Sequence, residues 1–308
     1  MKQTALFLMI ISIFSRIFGL LRDIVLSYYY GASNISDAYL ISQTIPIVIF
    51  SFIGVGISTG YIPMYTRIKN NRGSTDADRF TSNLLNIILI FSVTIIAFTL
   101  LFADRIVLLF ASGFKGETLT IASMFTRISI IGILFTSIAN IFISYLQIYD
   151  KYIISAVSVI PMNVIIILSI VMSKKIDIIF IVIGSVLAIL IQILLLAPFV
   201  FKKGFKYMFS VNIKDKELRS LLVLSMPVII GVAINDINVL VDRTIASSIT
   251  QGGISALNYA NQINRFIHGV FVLSISTVFY PTMSKLAVKD DFLQLKNILI
   301  KSLLGIFV

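Results

Sequence analysis

The sequence predicts an all-α polytopic membrane protein whose parallel six-helix repeat lobes surround a central cavity, with eight to nine membrane helices present. Three observations carry that reading. Of 308 residues only 13% are charged and 58% are hydrophobic, at a mean hydropathy of +1.00. Soluble domains run near ~25% charged, so much of this chain must face lipid. Apolar runs long enough to cross a bilayer follow one another along the chain, and the polar residues inside them fall on helical stripes.

A helix that crosses a ~30 Å hydrocarbon core at ~1.5 Å per residue needs ~20 apolar residues. Eight such runs occur, at 5–30, 38–62, 84–102, 121–148, 153–172, 176–201, 221–249 and 256–280, and 295–308 opens a ninth. Arg16, Arg22 and Asp23 interrupt the first and no small-residue cleavage site follows it, so it reads as a membrane helix and not as a removed signal peptide. The second holds Pro46, Gly54, Gly56 and Gly60, and Pro161, Pro198, Pro227 and Pro281 punctuate others.

Loop charge sets direction, because Lys and Arg near span ends stay in the cytoplasm. With the amino terminus inside, fifteen cations fall in inner segments and only Arg105, Lys115, Lys174 and Lys175 outside. The net charge of +11 is therefore mostly topology, and no nucleic-acid partner is needed to explain it. The predicted state is a monomer among membrane lipids with its amino terminus in the cytoplasm.

Shifted by 218, the second span and its flank match the eighth: Ala38 with Ala256, Ile45 with Ile263, Ser58 with Ser276, Thr59 with Thr277 and Pro63 with Pro281. Chance matching of abundant residues is the alternative. A six-helix repeat keeps both copies in one orientation, related by an axis along the membrane normal. The expected organisation is an N-terminal lobe over 1–201, a basic cytoplasmic connector over 202–220 lying on the inner leaflet or forming a plain loop, and the start of a second lobe over 221–308. On this reading the second lobe is incomplete.

Charges inside a span cost ~2.5–3.5 kcal/mol each on insertion scales, so several of them should face a cavity or one another. In the first span Ser12, Arg16, Gly19 and Asp23 share a face, with Arg22 beside it. Gly231, Asn235, Asn238 and Asp242 form a stripe on the seventh span, with Asp236 and Arg243 on the neighbouring one; Asn258, Asn261, Arg265 and His268 form another on the eighth, with Gln262 alongside. Snorkelling of the arginines to headgroups and hydrogen-bonded glue between helices are the competing readings. Together the stripes predict a cavity with fixed positive charge, suited to phosphate oxygens. Asp236 is a candidate cation ligand, a pair with Arg243 or Arg265 being the alternative.

Composition excludes much chemistry. Without cysteine there is no disulfide, thiol redox centre or Cys-ligated metal, and the single His268 leaves little for a histidine metal site or triad. No loop exceeds about twenty residues, which disfavours a membrane glycosyltransferase. A transporter without catalytic residues or cofactor is expected, driven by Na+, H+ or the membrane potential.

The run Ser15-Arg16-Ile17-Phe18-Gly19-Leu20-Leu21-Arg22-Asp23, followed by Gly31, Ser36-Asp37-Ala38-Tyr39 and Pro46, resembles the opening of the MurJ/MviN family. Tyr61-Ile62-Pro63, Val241-Asp242-Arg243, Leu257-Asn258-Tyr259-Ala260-Asn261 and Tyr280-Pro281-Thr282 continue the resemblance. It implies the multidrug/oligosaccharidyl-lipid/polysaccharide exporter fold, with an expected fourteen helices in two six-helix lobes plus two, and a flippase of the bacterial inner membrane that moves lipid II, an undecaprenyl-diphosphate-linked saccharide, by alternating access. Another lipid-linked polysaccharide unit, or drugs, would be the substrate of a different exporter of the same superfamily. The implied cavity arginines are Arg16 and Arg22, and the implied second-span acid is Asp37. Phe50 and Ser51 stand where many members carry an Arg pair, and Asn261 and Gln262 where many carry Asp-Arg. Arg265 is the expected substitute for that lost charge.

Overall fold

The structure, a computed structural model, describes residues 2–268 together with Gln294, Lys296 and Ile300; for residues 2–9 and 12 it describes the backbone alone. Two compact units are present, Met1–Leu257 and Asn258–Val308. The first takes in helices α1 (Lys2–Tyr30), α2 (Asn34–Gly56), α3 (Ile62–Arg72), α4 (Ser74–Phe110), α5 (Gly116–Ser129), α6 (Gly132–Ile148), α7 (Tyr152–Lys175), α8 (Phe180–Lys202) and α9 (Lys216–Ile249). Helix α10 (Gly253–Ile267) runs from the first unit into the second. Five helices, or six if the bent pair α5–α6 is one span, are long and apolar enough to cross a membrane among the described residues.

Local sequence explains the boundaries. Gly31 (φ +57) ends α1, its N–H reaching the Ser27 carbonyl at 2.8 Å, and Ser33 with Ser36 forms a capping box that starts α2. Gly73 (φ +92) separates α3 from α4, and Asp215 caps α9 by accepting from the Glu217 N–H at 2.9 Å. The helices alternate, so the bundle has one end at the Gly31 turn and the other at the Gly73 turn.

Three spans differ from their expected form. The second is a rod from Asn34 to Arg72 that passes through a π-helical turn at Ile57–Tyr61, which lets Pro63 and the polar α3 follow without a break. The third extends at both ends to the 37 residues of α4, about 55 Å long and kinked at Phe102. The fourth is bent by 42° between α5 and α6, because around Ile130 and Ile131 the backbone bonds run from Ile131 to Ile128 and from Ile133 to Ile130, a tighter i to i−3 pattern. The last part of the expected eighth span and the whole ninth lie outside the described residues, apart from Gln294, Lys296 and Ile300.

Small and hydroxylated residues hold the spans together, as in membranes generally. Gly184 of α8 sits so close to Ser169 of α7 that a Cβ there would lie 2.0 Å from the serine Cβ. Gln192 Nε2 donates to Ser158 Oγ at 3.1 Å across the same pair, and Tyr30 OH and Ser173 Oγ join α1 to α7 at 2.7 Å. Near the Gly73 end the buried rings of Tyr61, Tyr65, Phe80 and Tyr145 form part of the main hydrophobic cluster.

The connector is not a free loop. Residues 205–212 lie against the polar stripe Asp78, Ser82, Asn83 and Asn86 of α4, which takes the place of a neighbouring strand. Lys206 N–H donates to Asp78 Oδ2 at 3.1 Å, Met208 N–H to Ser82 Oγ at 3.1 Å and Asn212 N–H to Asn83 Oδ1 at 2.6 Å; Asn86 Nδ2 donates to the Ser210 carbonyl at 2.9 Å. Phe205 is buried against Tyr145, whereas Tyr207 and Phe209 are exposed. Beside this strap Tyr149 closes a cluster with Tyr65, Tyr145 and Lys69, whose Nζ lies 3.3 Å from the phenol oxygen. Burial pushes the Tyr149 phenol up, but the hydrogen bonds from both tyrosines and Lys69, with the lysine charge, outweigh it and hold the phenol below its ordinary value.

Candidate functional site

Pro46 has no N–H, so the Ser42 carbonyl four residues earlier loses its helical partner. In a bilayer no water is at hand to replace it. Ser129, the last residue of α5, donates its hydroxyl to that carbonyl at 2.6 Å. The break between α5 and α6 thus faces the proline turn of α2, and a cavity of about 500 Å³ opens among α2, α6, α7 and α8. Its walls include Gln43, Phe50 and Ser51 of α2, Asn140 of α6 and Ser185 of α8, with Arg22 reaching in from α1. The volume falls in the range of ~300–1,000 Å³ typical of ligand sites.

Arg22 is the cation in that wall. Its Nε lies 3.1 Å from Asp23 Oδ1 and its Nη2 3.4 Å from Oδ2, and Asp23 is only 5% exposed. Removing one member of such a buried pair leaves the other uncompensated, at a cost of ~3–5 kcal/mol before discounting for the partial exposure of Arg22. A guanidinium bonded to Asp23 through Nε and Nη2 presents its remaining N–H groups to an anion in a mostly apolar cavity.

The other expected site residues lie elsewhere. Arg16 is exposed on α1. Asp37, at the Gly31 end of α2, is buried and accepts three hydrogen bonds across the α9–α10 turn: Gly252 N–H at 2.9 Å, Ser255 N–H at 2.7 Å and Ser255 Oγ at 2.7 Å. It therefore caps the N-terminus of α10 from another helix. Arg243 is buried at the same end and donates to the Ile254 carbonyl at 3.1 Å; it does not line the Arg22 cavity. Further contacts close this end, with Thr244 Oγ1 on the Phe110 carbonyl at 3.2 Å and Gly113 N–H on Ser247 Oγ at 3.1 Å.

Asp236 is buried against α2, where it accepts the Ser51 hydroxyl. Its described partner is thus a hydroxyl and not a cation, and among the described residues no group of three or more acidic or histidine side chains could hold a metal. The α9 face with Asn235 and Asp242 is exposed. Asn258, Asn261 and Arg265 belong to the second unit, where Arg265 is exposed and both asparagines are partly so.

Gln43, Ser129, Asn140 and Ser185 join the cavity without having been singled out in the sequence. For Ser129 a signal existed: Pro46 demands a donor for the Ser42 carbonyl. Which residue supplies it depends on a contact across 87 positions. Toward the Gly73 end the same rod meets α9 at small residues, where a Cβ at Gly60 would lie 3.0 Å from Ser225 Oγ and Thr59 Oγ1 lies 3.4 Å from Ser225 Oγ.

Comparison with known proteins places this geometry in a family. The family model described as lipid II flippase MurJ matches residues 26–308. A probable lipid II flippase MurJ of Buchnera aphidicola subsp. Baizongia pistaciae is 28% identical over 288 residues, covering 90% of this chain and 55% of that protein. That of Borreliella burgdorferi is 28% identical over 311 residues, covering 99% and 61%. The chain thus spans little more than half the length of these relatives. A solved lipid II flippase MurJ in an inward closed conformation superposes with a TM-score of 0.76 at 26% identity, covering 92% of this chain and 59% of that one. An inward-facing multidrug MATE transporter of the MOP superfamily superposes with a TM-score of 0.74 at 17% identity, covering 94% and 66%, and shares the fold. With a match that takes in all but the first 25 residues, the chain belongs to the lipid II flippase MurJ family.

Proposed function

We propose that this chain forms part of a lipid II flippase of the bacterial inner membrane, in which Arg22 binds the diphosphate of the lipid-linked precursor. The observation that carries the reading is the guanidinium of Arg22 set into the wall of a mostly apolar cavity beside a buried carboxylate. A diphosphate offers charge-assisted acceptor oxygens to the guanidinium N–H groups that Asp23 leaves unused. The fifteen-to-four split of loop cations supports a cytoplasmic amino terminus, which makes the Gly31 end the outer one. On that orientation the Asp37 cap closes the outer face, and transport requires it to open while the Gly73 end closes. Asp37 and Ser255 are 218 positions apart, the displacement by which Ala38 matches Ala256. Equivalent residues of two repeats meet at the axis that relates them, so this contact supports a pseudo-twofold pair of lobes. The membrane potential, or a cation taken up near Asp236, supplies the drive.

A second reading, export of another lipid-linked anionic saccharide, is favoured by Phe50 and Ser51 in the cavity wall where many family members carry arginines. Expressing the full-length protein in cells depleted of their lipid II flippase separates the two. Growth that is lost on Arg22→Ala supports lipid II as the substrate. No growth despite normal membrane levels of the unsubstituted protein moves the assignment to the second reading.

A further inference from the structure

The hydrogen-bonding groups that line the Arg22 cavity are mostly committed. Ser129 Oγ is held by the Ser42 carbonyl, Ser51 Oγ by Asp236 and the Val48 carbonyl, and Ser185 Oγ by Tyr39 and the Ile181 carbonyl. Asn140 Nδ2 donates to the Thr136 carbonyl at 2.8 Å. Gln43 differs from all of these. Its Nε2 is shut away from solvent and has no hydrogen-bond partner, while the residue itself lines the cavity.

No bond pins that amide, and the terminal torsion of a glutamine is soft, so the amide is free to turn toward a ligand in the cavity. A buried donor without an acceptor burdens the empty protein, and an acceptor carried in by a ligand removes that burden. A cavity of about 500 Å³ has the room of roughly 17 waters at ~30 Å³ each, more than enough for one N-acylated hexose. Arg22 supplies the charge recognition in the same chamber; what Gln43 adds is neutral, directional and matched to an amide or hydroxyl.

We propose that Gln43 is a specificity-determining residue of this cavity, its amide hydrogen-bonding the N-acyl or hydroxyl group of the sugar that adjoins the Arg22-bound phosphate. The inference rests on the flippase reading above and adds to it which part of the substrate enters the N-terminal bundle. A site built to bond a polar group discriminates strongly against a ligand that lacks it, whereas apolar walls discriminate weakly.

The test uses the full-length protein in lipid nanodiscs and two probes, undecaprenyl diphosphate and the same lipid bearing a single N-acetylated hexose. Gln43→Met keeps the side-chain length and removes the amide; because no bond is lost in the empty protein and an unpaired buried donor is removed, its thermal midpoint should equal or exceed that of the unsubstituted chain. The expected result is affinity for the sugar-bearing lipid reduced about tenfold or more, with affinity for the sugar-free lipid unchanged. Arg22→Ala should weaken both. Equal weakening of both lipids by Gln43→Met, or no change in either, overturns the role of Gln43 and leaves the flippase reading standing. Failure of the unsubstituted protein to bind either lipid overturns both. Gln43→Leu serves as the second variant if the methionine form is poorly folded, with the same outcomes deciding.

Discussion

Replacing Asp37 by Asn tests the closure of the Gly31 end most directly. The carboxylate takes three hydrogens, two from backbone N–H groups at the start of α10 and one from Ser255 Oγ. Asparagine keeps the shape but turns one acceptor into a donor, which then faces Gly252 N–H or the Ser255 pair. One hydrogen bond to a charged group is worth ~1.5–3 kcal/mol, and the attraction of the charge to a helix N-terminus adds ~0.3–1 kcal/mol. The sum of about 2–4 kcal/mol corresponds to a rise of roughly thirty-fold to several hundred-fold in the open population, at tenfold per 1.4 kcal/mol. Because this chain has no cysteine, an Ala246→Cys substitution gives it one thiol, at a position 8% exposed beside the closure. Labelling by a membrane-impermeant maleimide should be at least about tenfold faster in Asp37→Asn. A cysteine at Ile68, 3% exposed at the opposite end, should keep its rate. The reasoning is refuted if the rate at 246 does not change, or if both positions speed up together.

Other outcomes follow from the same geometry. Gly252→Ala should prevent closure of the same turn, since φ is +80 and a Cβ would lie 2.5 Å from the Ala32 carbonyl oxygen; labelling at Ala246→Cys reads it. Ser129→Ala should lower stability by about 1–3 kcal/mol, seen as a lower thermal midpoint in detergent, because it orphans the carbonyl that Pro46 frees. Asn86→Ala removes the bonds to the Ser210 carbonyl and to Tyr207 OH, and should expose the Lys206 region to trypsin while the membrane spans stay protected. Ultraviolet titration should find Tyr149 ionising below the ordinary tyrosine range, with Lys69→Met raising it. Since the folded phenol is the stronger acid, its contribution to stability is full above the unfolded value and fades as pH falls through the folded one.

Much of the bundle was legible in the sequence because hydropathy alone separates lipid-facing runs from loops, whereas the helix ends at Gly31, Ser33, Gly73 and Asp215 emerged only with the fold. The bend at Ile130–Ile131 was not, since Ser129 before it and Gly132 after it are residue types that membrane helices carry without bending. Within the site, Arg22 and Asp23 could be read from their place on the first span, yet the face on which Arg16 also lies gave no hint that Arg16 is exposed. Asp37 illustrates the limit most clearly. A lone acid at a helix start reads as a cap of its own helix or a ligand, whereas here it caps another helix 215 to 218 residues away. The strap on α4 escaped for the same reason, as Asp78, Ser82, Asn83 and Asn86 find backbone partners more than 120 positions later.

That strap shapes how α9 can move. Residues 206–212 are fastened to α4 along two turns, and Asp215 is tied to the same helix by Asn83 Nδ2 at 3.2 Å. Slack between the halves is thus reduced to a few residues around Ile213 and Lys214, so α9 has a fulcrum in place of a leash. Rotation about a fulcrum at one face converts a small change of angle there into a displacement that grows along the 34 residues of α9, reaching its greatest value at the far face. Lengthening those few residues with glycine would loosen the fulcrum without touching a single contact of the cavity.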